Sequence, residues 1–254
     1  MATLRAATKR LGRALAAEAD ADTSAWWTRY LKDEAVFRGV PMARVRAVTH
    51  DWWEAEGLAS RSKEAALDAV LDLFAPRTTE DKLAGIIALS ELLIERLDRR
   101  DLPRLAEPFA KDRLGDWNAT DWFAVKVLAN LVCDADDPAR CARAIGRWRH
   151  AESRWQRRAA LVAFANLADR GDAAFEGQTE LLLAIAADLV RDPWRFSQTA
   201  VGWTLRELGV AEPERVAAFA REHHSRLSRE ALRSLTKKLD PALCKALRDE
   251  HAER

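Results

Sequence analysis

The chain has 254 residues, enough for one large domain or two small ones with a core that needs no disulfide or metal cross-links. Its 41 Lys and Arg residues nearly balance its 40 Asp and Glu residues, so the net charge of +1 does not by itself indicate a nucleic acid, a membrane surface or an acidic partner. The cysteines, Cys133, Cys141 and Cys244, are widely spaced, which argues against a disulfide framework or a zinc site and favours a reducing compartment.

Signals for the start of a helix follow one another along the whole chain. In the first 20 residues, Leu4, Leu11 and Leu15 recur at helical spacing, which favours an ordinary first helix over a targeting peptide. The later signals are residues that prefer N-caps or first turns: Asp22 or Thr23, Pro41, Ser62, Thr79, Asp116, Pro138, Pro193, Pro213, Ser228 and Pro241. No stretch alternates with period 2, and no apolar run is long enough to cross a membrane. We therefore predict an all-α fold of about fourteen helices and no membrane span.

Equivalent helix starts recur at a regular spacing in the second half of the chain. Pro138, Glu176 and Pro213 each open a helix that is followed by a second one, and they are 38 and 37 residues apart. A helix pair that recurs about every 35 to 45 residues is typical of HEAT-like solenoids, in which each pair is buried against its neighbours. We predict that residues 1–254 form a single, curved domain of α-helical repeats. A globular helical bundle is the alternative.

Cations are concentrated in the same half of the chain. Residues 139–158 contain a single acid, Glu152, and seven arginines, namely Arg140, Arg143, Arg147, Arg149, Arg154, Arg157 and Arg158. Residues 221–238 add Arg221, Arg226, Arg229, Arg233, Lys237 and Lys238. An ordinary solvated helix face would place Glu four residues from the arginines, and residues 139–158 lack that mixing. We therefore expect successive helices to form a concave basic face that binds a phosphate backbone.

Four residues lie about one repeat apart and form a candidate site. Trp117 and Asp121 occupy positions i and i+4, so they share one helix face. Neither Asp121 nor Arg158 has an oppositely charged residue three or four positions away, which marks both for a cross-helix pair or for chemistry. Trp203 follows Gly202, whose small size would leave one side of the indole accessible. Because Trp117 and Arg158 are 41 residues apart, and Arg158 and Trp203 are 45 apart, we predict that they stack side by side on the concave face.

Other kinds of site have weak support in the sequence. The motifs GxGxxG, GxxxxGK[ST], GxSxG and HExxH are absent, which argues against nucleotide-dependent enzymes, α/β-hydrolases and zinc proteases. His50, His223 and His224 have no His or Cys partner at the spacing of helical metal ligands, so we expect neither a metal site nor a cofactor.

At the four candidate residues the sequence resembles the AlkD-like family of DNA alkylation repair glycosylases, which are built from HEAT-like helix pairs. The family's W-x-x-x-D pair matches Trp117 and Asp121, and its W-[ILQ]-x-R-A-A segment matches WQRRAA, which contains Arg158. Its A-x-G-W-x-L-R-E segment matches AVGWTLRE with Trp203. Near the start, RYLKDEAVFRGVPMARVR resembles the family's N-terminal motif with Ala35 in place of a Phe, and LSREALRSLTKKL resembles its closing basic helix.

The resemblance implies hydrolysis of the N-glycosidic bond of N3- or N7-alkylated purines in double-stranded DNA. The similar enzymes act without an enclosing base pocket, which would admit bulky adducts. Asp121 would stabilise the oxocarbenium-like sugar and position the attacking water. Trp117 and Trp203 would pack on the deoxyribose and backbone of the lesion, and Arg158 would hold a phosphate. Asn118 stands where the family often has Asp, a departure that bears on fine positioning rather than on the main carboxylate.

The basic clusters supply further contacts to the DNA, for which we select Arg154, Arg157, Arg229 and Lys237. No lysine lies at helical spacing from Asp121 to form a Schiff base, so we predict a monofunctional glycosylase of base excision repair. We expect it to act as a monomer in the bacterial cytoplasm, associated with the nucleoid. The alternative is a non-catalytic HEAT-repeat protein that binds damaged or branched DNA.

The tryptophans of the N-terminal helices have no role in the family motifs. Trp26, Trp27, Trp52 and Trp53 occur as two adjacent pairs, and the sequence is compatible with helix packing or with contacts to the DNA backbone.

Overall fold

The computed structural model describes residues 2–31 and 35–252. Their regular structure is helical, and the strand-like pairing among them is one parallel bridge between Val36 and Thr78. The predicted all-α fold class is therefore confirmed. Among the described residues, no helix combines the length and the apolar composition that crossing a membrane demands. The chain divides into two compact units, residues 1–130 and residues 131–254. The prediction that the whole chain forms one curved repeat domain stays a prediction.

The first unit contains eight α-helices and the first two residues of a ninth within its described part. They are α1 (Ala2–Ala17), α2 (Ala21–Tyr30), α3 (Met42–Ala55), α4 (Lys63–Leu71), α5 (Thr79–Ile87), α6 (Leu102–Leu105), α7 (Glu107–Ala110), α8 (Trp117–Phe123) and α9 (Ala129–Cys133), the last of which contains the boundary between the units. Two π-helical segments, Ala88–Leu93 and Ala124–Leu128, continue α5 and α8. Short 3-10 turns at Leu58–Ser60, Asp72–Phe74, Ile94–Arg96 and Arg99–Asp101 complete the unit.

The described part of the second unit continues with seven further α-helices. They are α10 (Pro138–Gly146), α11 (Arg154–Val162), α12 (Gln178–Leu189), α13 (Arg195–Leu208), α14 (Pro213–Glu222), α15 (Arg229–Leu235) and α16 (Pro241–Ala252). The 3-10 turns Arg147–His150, Ala168–Ala173 and Thr236–Lys238 lie between them.

Several predicted caps are found at the helix starts. The side chains of Ser62, Asp116 and Ser228 each accept a hydrogen bond from the backbone N–H three residues on, which satisfies a donor that the helix itself leaves unpaired. The start of α2 differs from the prediction, because Asp20 rather than Asp22 or Thr23 is its N-cap, with Oδ1 accepting the Thr23 N–H at 2.7 Å.

Two predicted helix starts are wrong, namely Glu176, which entered the repeat spacing, and Pro193, which was predicted to open a helix. Glu176 lies in a turn, and α12 begins at Gln178 after Gly177, whose φ of 78° ends the preceding turn. The three starts are therefore 40 and 35 residues apart, counted at Pro138, Gln178 and Pro213. Pro193 precedes the first residue of α13 by two positions instead of opening the helix. Local signals locate a helix but leave its first residue uncertain by one or two positions.

Each unit has its own apolar core. In the first, the ring of Phe123 at the end of α8 packs edge-to-face against Phe74 and Phe109, with ring centroids 5.9 and 5.4 Å apart. In the second, α13 packs closely on α15 at Gly202, where a Cβ would lie 2.9 Å from the Cβ of Ser234 and 3.0 Å from the backbone of Ala231. From the sequence, this glycine is expected to leave one side of the Trp203 indole accessible. Its structural role is the close approach of the two helices.

Candidate functional site

Helix α8 carries the candidate carboxylate of the first unit. Asp116 caps the helix and accepts the Ala119 N–H at 2.8 Å, so the first turn begins at Trp117 as the sequence predicts. Trp117 and Asp121 lie one helical turn apart on the same face; the indole is partly exposed, and the carboxylate-bearing residue is 8% exposed. After Phe123 the helix widens into its π-helical segment, an irregularity that is frequent at functional sites.

A group of aromatic side chains on α2 reaches the indole of Trp117 through Tyr30. Tyr30, the chain's single tyrosine, lies with its ring centroid 5.8 Å from that of Trp117. Trp26 stacks on Tyr30 at 5.2 Å with the planes 6° apart, and Trp27 stacks on Phe37 at 5.5 Å. Tyr30 is not among the site residues predicted from the sequence, although it lies in the N-terminal motif RYLKDEAVFRGVPMARVR. Residues 32–34 of that motif lie outside the described residues.

The other adjacent tryptophan pair has a packing role. Trp52 and Trp53 are buried on α3, and the indole N–H of Trp52 donates to the carbonyl oxygen of Ala7 at 3.1 Å. The tryptophans of α3 therefore pack in the core, whereas those of α2 belong to an exposed aromatic group.

Buried carboxylates of α5 hold the segment that follows α2. Oε1 of Glu80 accepts the backbone N–H groups of Arg38 at 2.9 Å, Gly39 at 2.8 Å and Val40 at 3.2 Å. Burial raises the pKa of the neighbouring Asp81 even though the Arg38 guanidinium, which is ion-paired with it, acts in the opposite direction. These contacts tie residues 38–40 to α5.

One residue of this segment must be glycine. Gly39 has a φ of 87°, in the left-handed region, and a Cβ there would lie 1.9 Å from the carbonyl oxygen of Asp20. The Gly39 carbonyl in turn accepts the N–H of Asp20, the N-cap of α2, at 3.2 Å. The segment therefore links α5 to the start of α2, the helix that brings Tyr30 to Trp117.

The second unit holds Arg158 and Trp203. Arg158 is 4% exposed on α11, and its Nη1 donates to the carbonyl oxygen of Phe196 at 2.6 Å and to Oγ1 of Thr199 at 3.0 Å. Its guanidinium also lies 5.9 Å from the ring centroid of Phe196. Thr199 precedes Trp203 by four residues on α13, so Arg158 contacts the face of α13 that carries the partly exposed indole.

Arginines of the first basic cluster have acid partners on α12 and in the turn after it. Arg154 and Arg157 lie 3.5 and 3.3 Å from Oδ2 of Asp192, and Arg149 lies 2.8 Å from Oδ2 of Asp188. Although burial opposes it, the Trp194 N–H and Arg157 hold the pKa of Asp192 below its ordinary value. The scarcity of acids within residues 139–158 therefore does not leave these arginines unpaired.

A second set of cations is more accessible. Arg229 and Arg233 on α15 and Lys237 just after it occupy positions i, i+4 and i+8, and all three are exposed. Among the described residues, none of the three forms an ion pair with Asp or Glu. No group of three His, Cys, Asp or Glu side chains in the described part of the chain is arranged to hold a metal ion.

The fold and these residues define an all-α protein with a carboxylate among aromatic rings in one unit and arginines and lysines facing solvent in the other. The chain belongs to the DNA alkylation repair enzyme family, whose model matches residues 11–239. Membership of this family supports an enzymatic role in DNA alkylation repair, with DNA as the substrate.

The fold is also similar to that of a solved structure, a predicted DNA alkylation repair enzyme from Enterococcus faecalis. The two chains are 22% identical, the match covers 88% of this chain and 98% of the other, and the TM-score is 0.70. At this identity the likeness establishes the all-α fold alone. A comparison with curated proteins finds no significant match.

Proposed function

We propose that the protein is a monofunctional DNA glycosylase of base excision repair. It hydrolyses the N-glycosidic bond of N3- or N7-alkylated purines, bulky adducts included, in double-stranded DNA and leaves an abasic site. The observation that carries the proposal is the pairing of Trp117 and Asp121 on one face of α8, beside the rings of α2, in a member of the alkylation repair family.

The reaction needs little from the base itself. Alkylation at N3 or N7 gives the purine a positive charge, so the base leaves as a neutral molecule when the bond from C1′ to nitrogen breaks. Asp121 stabilises the positive charge that develops on the sugar and orients a water toward C1′; the water adds its oxygen there and gives up a proton. Trp117 and Trp203 pack their faces on the deoxyribose and backbone, where electron-rich rings also favour positive charge.

Arginine and lysine side chains position the DNA. Arg158 has one nitrogen fixed by Phe196 and Thr199, which pre-orients the planar guanidinium for a phosphate beside the lesion. Arg154 and Arg157 contact the backbone from α11, and Arg229 and Lys237 do so from α15 and the turn after it. We further propose that the protein acts as a monomer on the nucleoid in the bacterial cytoplasm.

The variant Asp121→Asn tests the catalytic assignment. The amide has nearly the same shape as the carboxylate but no charge, so release of N7-methylguanine from duplex DNA should fall roughly 100-fold or more. DNA affinity should be retained. Asp112→Asn is the matched control, because Asp112 is exposed in the same unit and its left-handed φ of 57° is one that Asn tolerates well. An unchanged rate for Asp121→Asn would show that this carboxylate is not the catalytic group.

A second candidate is a non-catalytic protein that binds damaged or branched DNA. The exposed row of Arg229, Arg233 and Lys237 supports it, because these cations can bind DNA without any catalytic carboxylate. Salt-dependent binding to alkylated DNA, with no base released above the spontaneous rate for simple and bulky adducts, would support this candidate against the glycosylase.

A further inference from the structure

The α2 helix presents an unusual apolar surface. None of its ten residues is buried, yet it contains Trp26, Trp27 and Tyr30. Trp26 is 50% exposed and Tyr30 is 52% exposed, and these are two of the four most exposed large apolar side chains among the described residues. Single exposed apolar residues need no explanation, but two stacked aromatic rings held in solvent mark an interaction surface.

The rings form a row that starts at the candidate site. Trp117, at the head of α8, is followed by Tyr30 at 5.8 Å and then by Trp26 at 5.2 Å, with Trp27 meeting both α2 rings edge-on at 86° and 84°. The aromatic surface therefore extends two ring-to-ring steps from the indole that we place beside the lesion. Its outer end is Trp26.

A positive charge close to the ring row favours DNA as the molecule that the row binds. Arg29 lies between Trp26 and Tyr30 in the sequence and is exposed. Its Nε donates to the carbonyl oxygen of Ala25 at 3.3 Å, and it has no carboxylate partner among the described residues. A guanidinium next to flat rings suits a phosphate next to an aromatic ring system.

An aromatic substituent on an alkylated purine can reach the ring row more easily than a DNA base can. A base of duplex DNA must leave its stack to reach an external ring, and unstacking costs energy. A substituent on N7 of guanine or N3 of adenine already projects into a groove, because those atoms are groove edges. An aromatic substituent on N7 of guanine can therefore contact the row while the modified purine stays beside Trp117 and Asp121.

We propose that Trp26 is a specificity-determining residue that selects purines carrying a flat aromatic alkyl group, by stacking that group at the outer end of the ring row. This inference rests on the proposed glycosylase function. It assigns Trp26 no part in bond cleavage.

The test compares three duplexes that differ only in the N7 substituent of one guanine: methyl, pyrenylmethyl and adamantylmethyl. The last is bulky and apolar but saturated. In Trp26→Ala the single-turnover efficiency on the pyrenylmethyl duplex should fall roughly 5- to 100-fold, the range expected for one lost aromatic stack. Efficiency on the methyl and adamantylmethyl duplexes should change much less. Trp26→Phe, which keeps a flat ring, should restore most of the loss on the pyrenylmethyl duplex.

Val36→Ala is the control, because it truncates a side chain of the same unit that is 58% exposed and lies outside the ring row. Equal losses of Trp26→Ala on all three duplexes, or no loss on any, would overturn the inference and leave the row as a general DNA contact or a protein contact. If the native protein releases N7-methylguanine but not the pyrenylmethyl base, the inference fails and the glycosylase stands. If it releases neither base, the proposed function fails and the inference fails with it.

Discussion

Replacing Glu80 with alanine should destabilise the first unit strongly. Glu80 is 1% exposed, and one of its oxygens is the acceptor for three consecutive backbone N–H groups, at residues 38, 39 and 40. Each buried donor left without a partner costs about 1–3 kcal/mol. The three donors together set the range of the expected loss, and its lower part applies because the variant also removes the cost of burying a charge. We therefore expect a loss of roughly 3–5 kcal/mol in the free energy of unfolding.

Urea unfolding followed by tryptophan fluorescence measures this loss. Glu95→Ala is the control, because Glu95 is exposed in the same unit and surface substitutions of this kind usually change stability by less than about 0.5 kcal/mol. Glu80→Gln keeps one acceptor oxygen and should lose less than the alanine variant. A loss below about 1 kcal/mol for Glu80→Ala would refute the reasoning, because it would mean that water or another group satisfies the three donors.

Two further predictions concern charge. The hydrogen bond between Asp98 and Arg100 lowers the pKa of Asp98 from 3.8 to about 2. The contribution of Asp98 to the stability of the folded protein is therefore complete above about pH 4 and is lost as the pH falls toward 2. Since Asp98 is partly exposed, Asp98→Asn should flatten the acid side of a stability-against-pH curve by no more than about 1 kcal/mol, and a larger effect would contradict a solvent-screened pair. The double variant Arg229→Ala and Lys237→Ala should lower the slope of log affinity against log salt by about 2, measured by fluorescence anisotropy with duplex DNA. Arg215→Ala, whose guanidinium is paired with an acid, should leave that slope unchanged.

The helices and the α8 pair were predictable because their causes are local. Helix-start residues and apolar spacing act within one or two turns, and the positions i and i+4 share a face in any α-helix. The sequence therefore supported the all-α class and the common face of Trp117 and Asp121. The environment of that face depends on residues about ninety positions earlier, since Tyr30 reaches Trp117 only through the folding of α2 against α8. No periodicity within either helix carries that information.

The same distinction explains the basic clusters. Residues 139–158 hold seven arginines and one acid, and this imbalance predicts contact with DNA. The fold supplies the missing acids from the end of α12 and the turn after it, since Asp188 and Asp192 lie against arginines about 35 to 40 residues earlier in the chain. A count of charges within one segment cannot register partners this far away in the sequence, so local charge balance underestimates the pairing of these arginines. The exposed row on α15, without carboxylate partners among the described residues, is accordingly the stronger candidate for salt-dependent DNA binding. A net charge of +1 is compatible with such binding, because acids from other parts of the fold pair with Arg149, Arg154 and Arg157, whereas the row on α15 keeps its charge exposed.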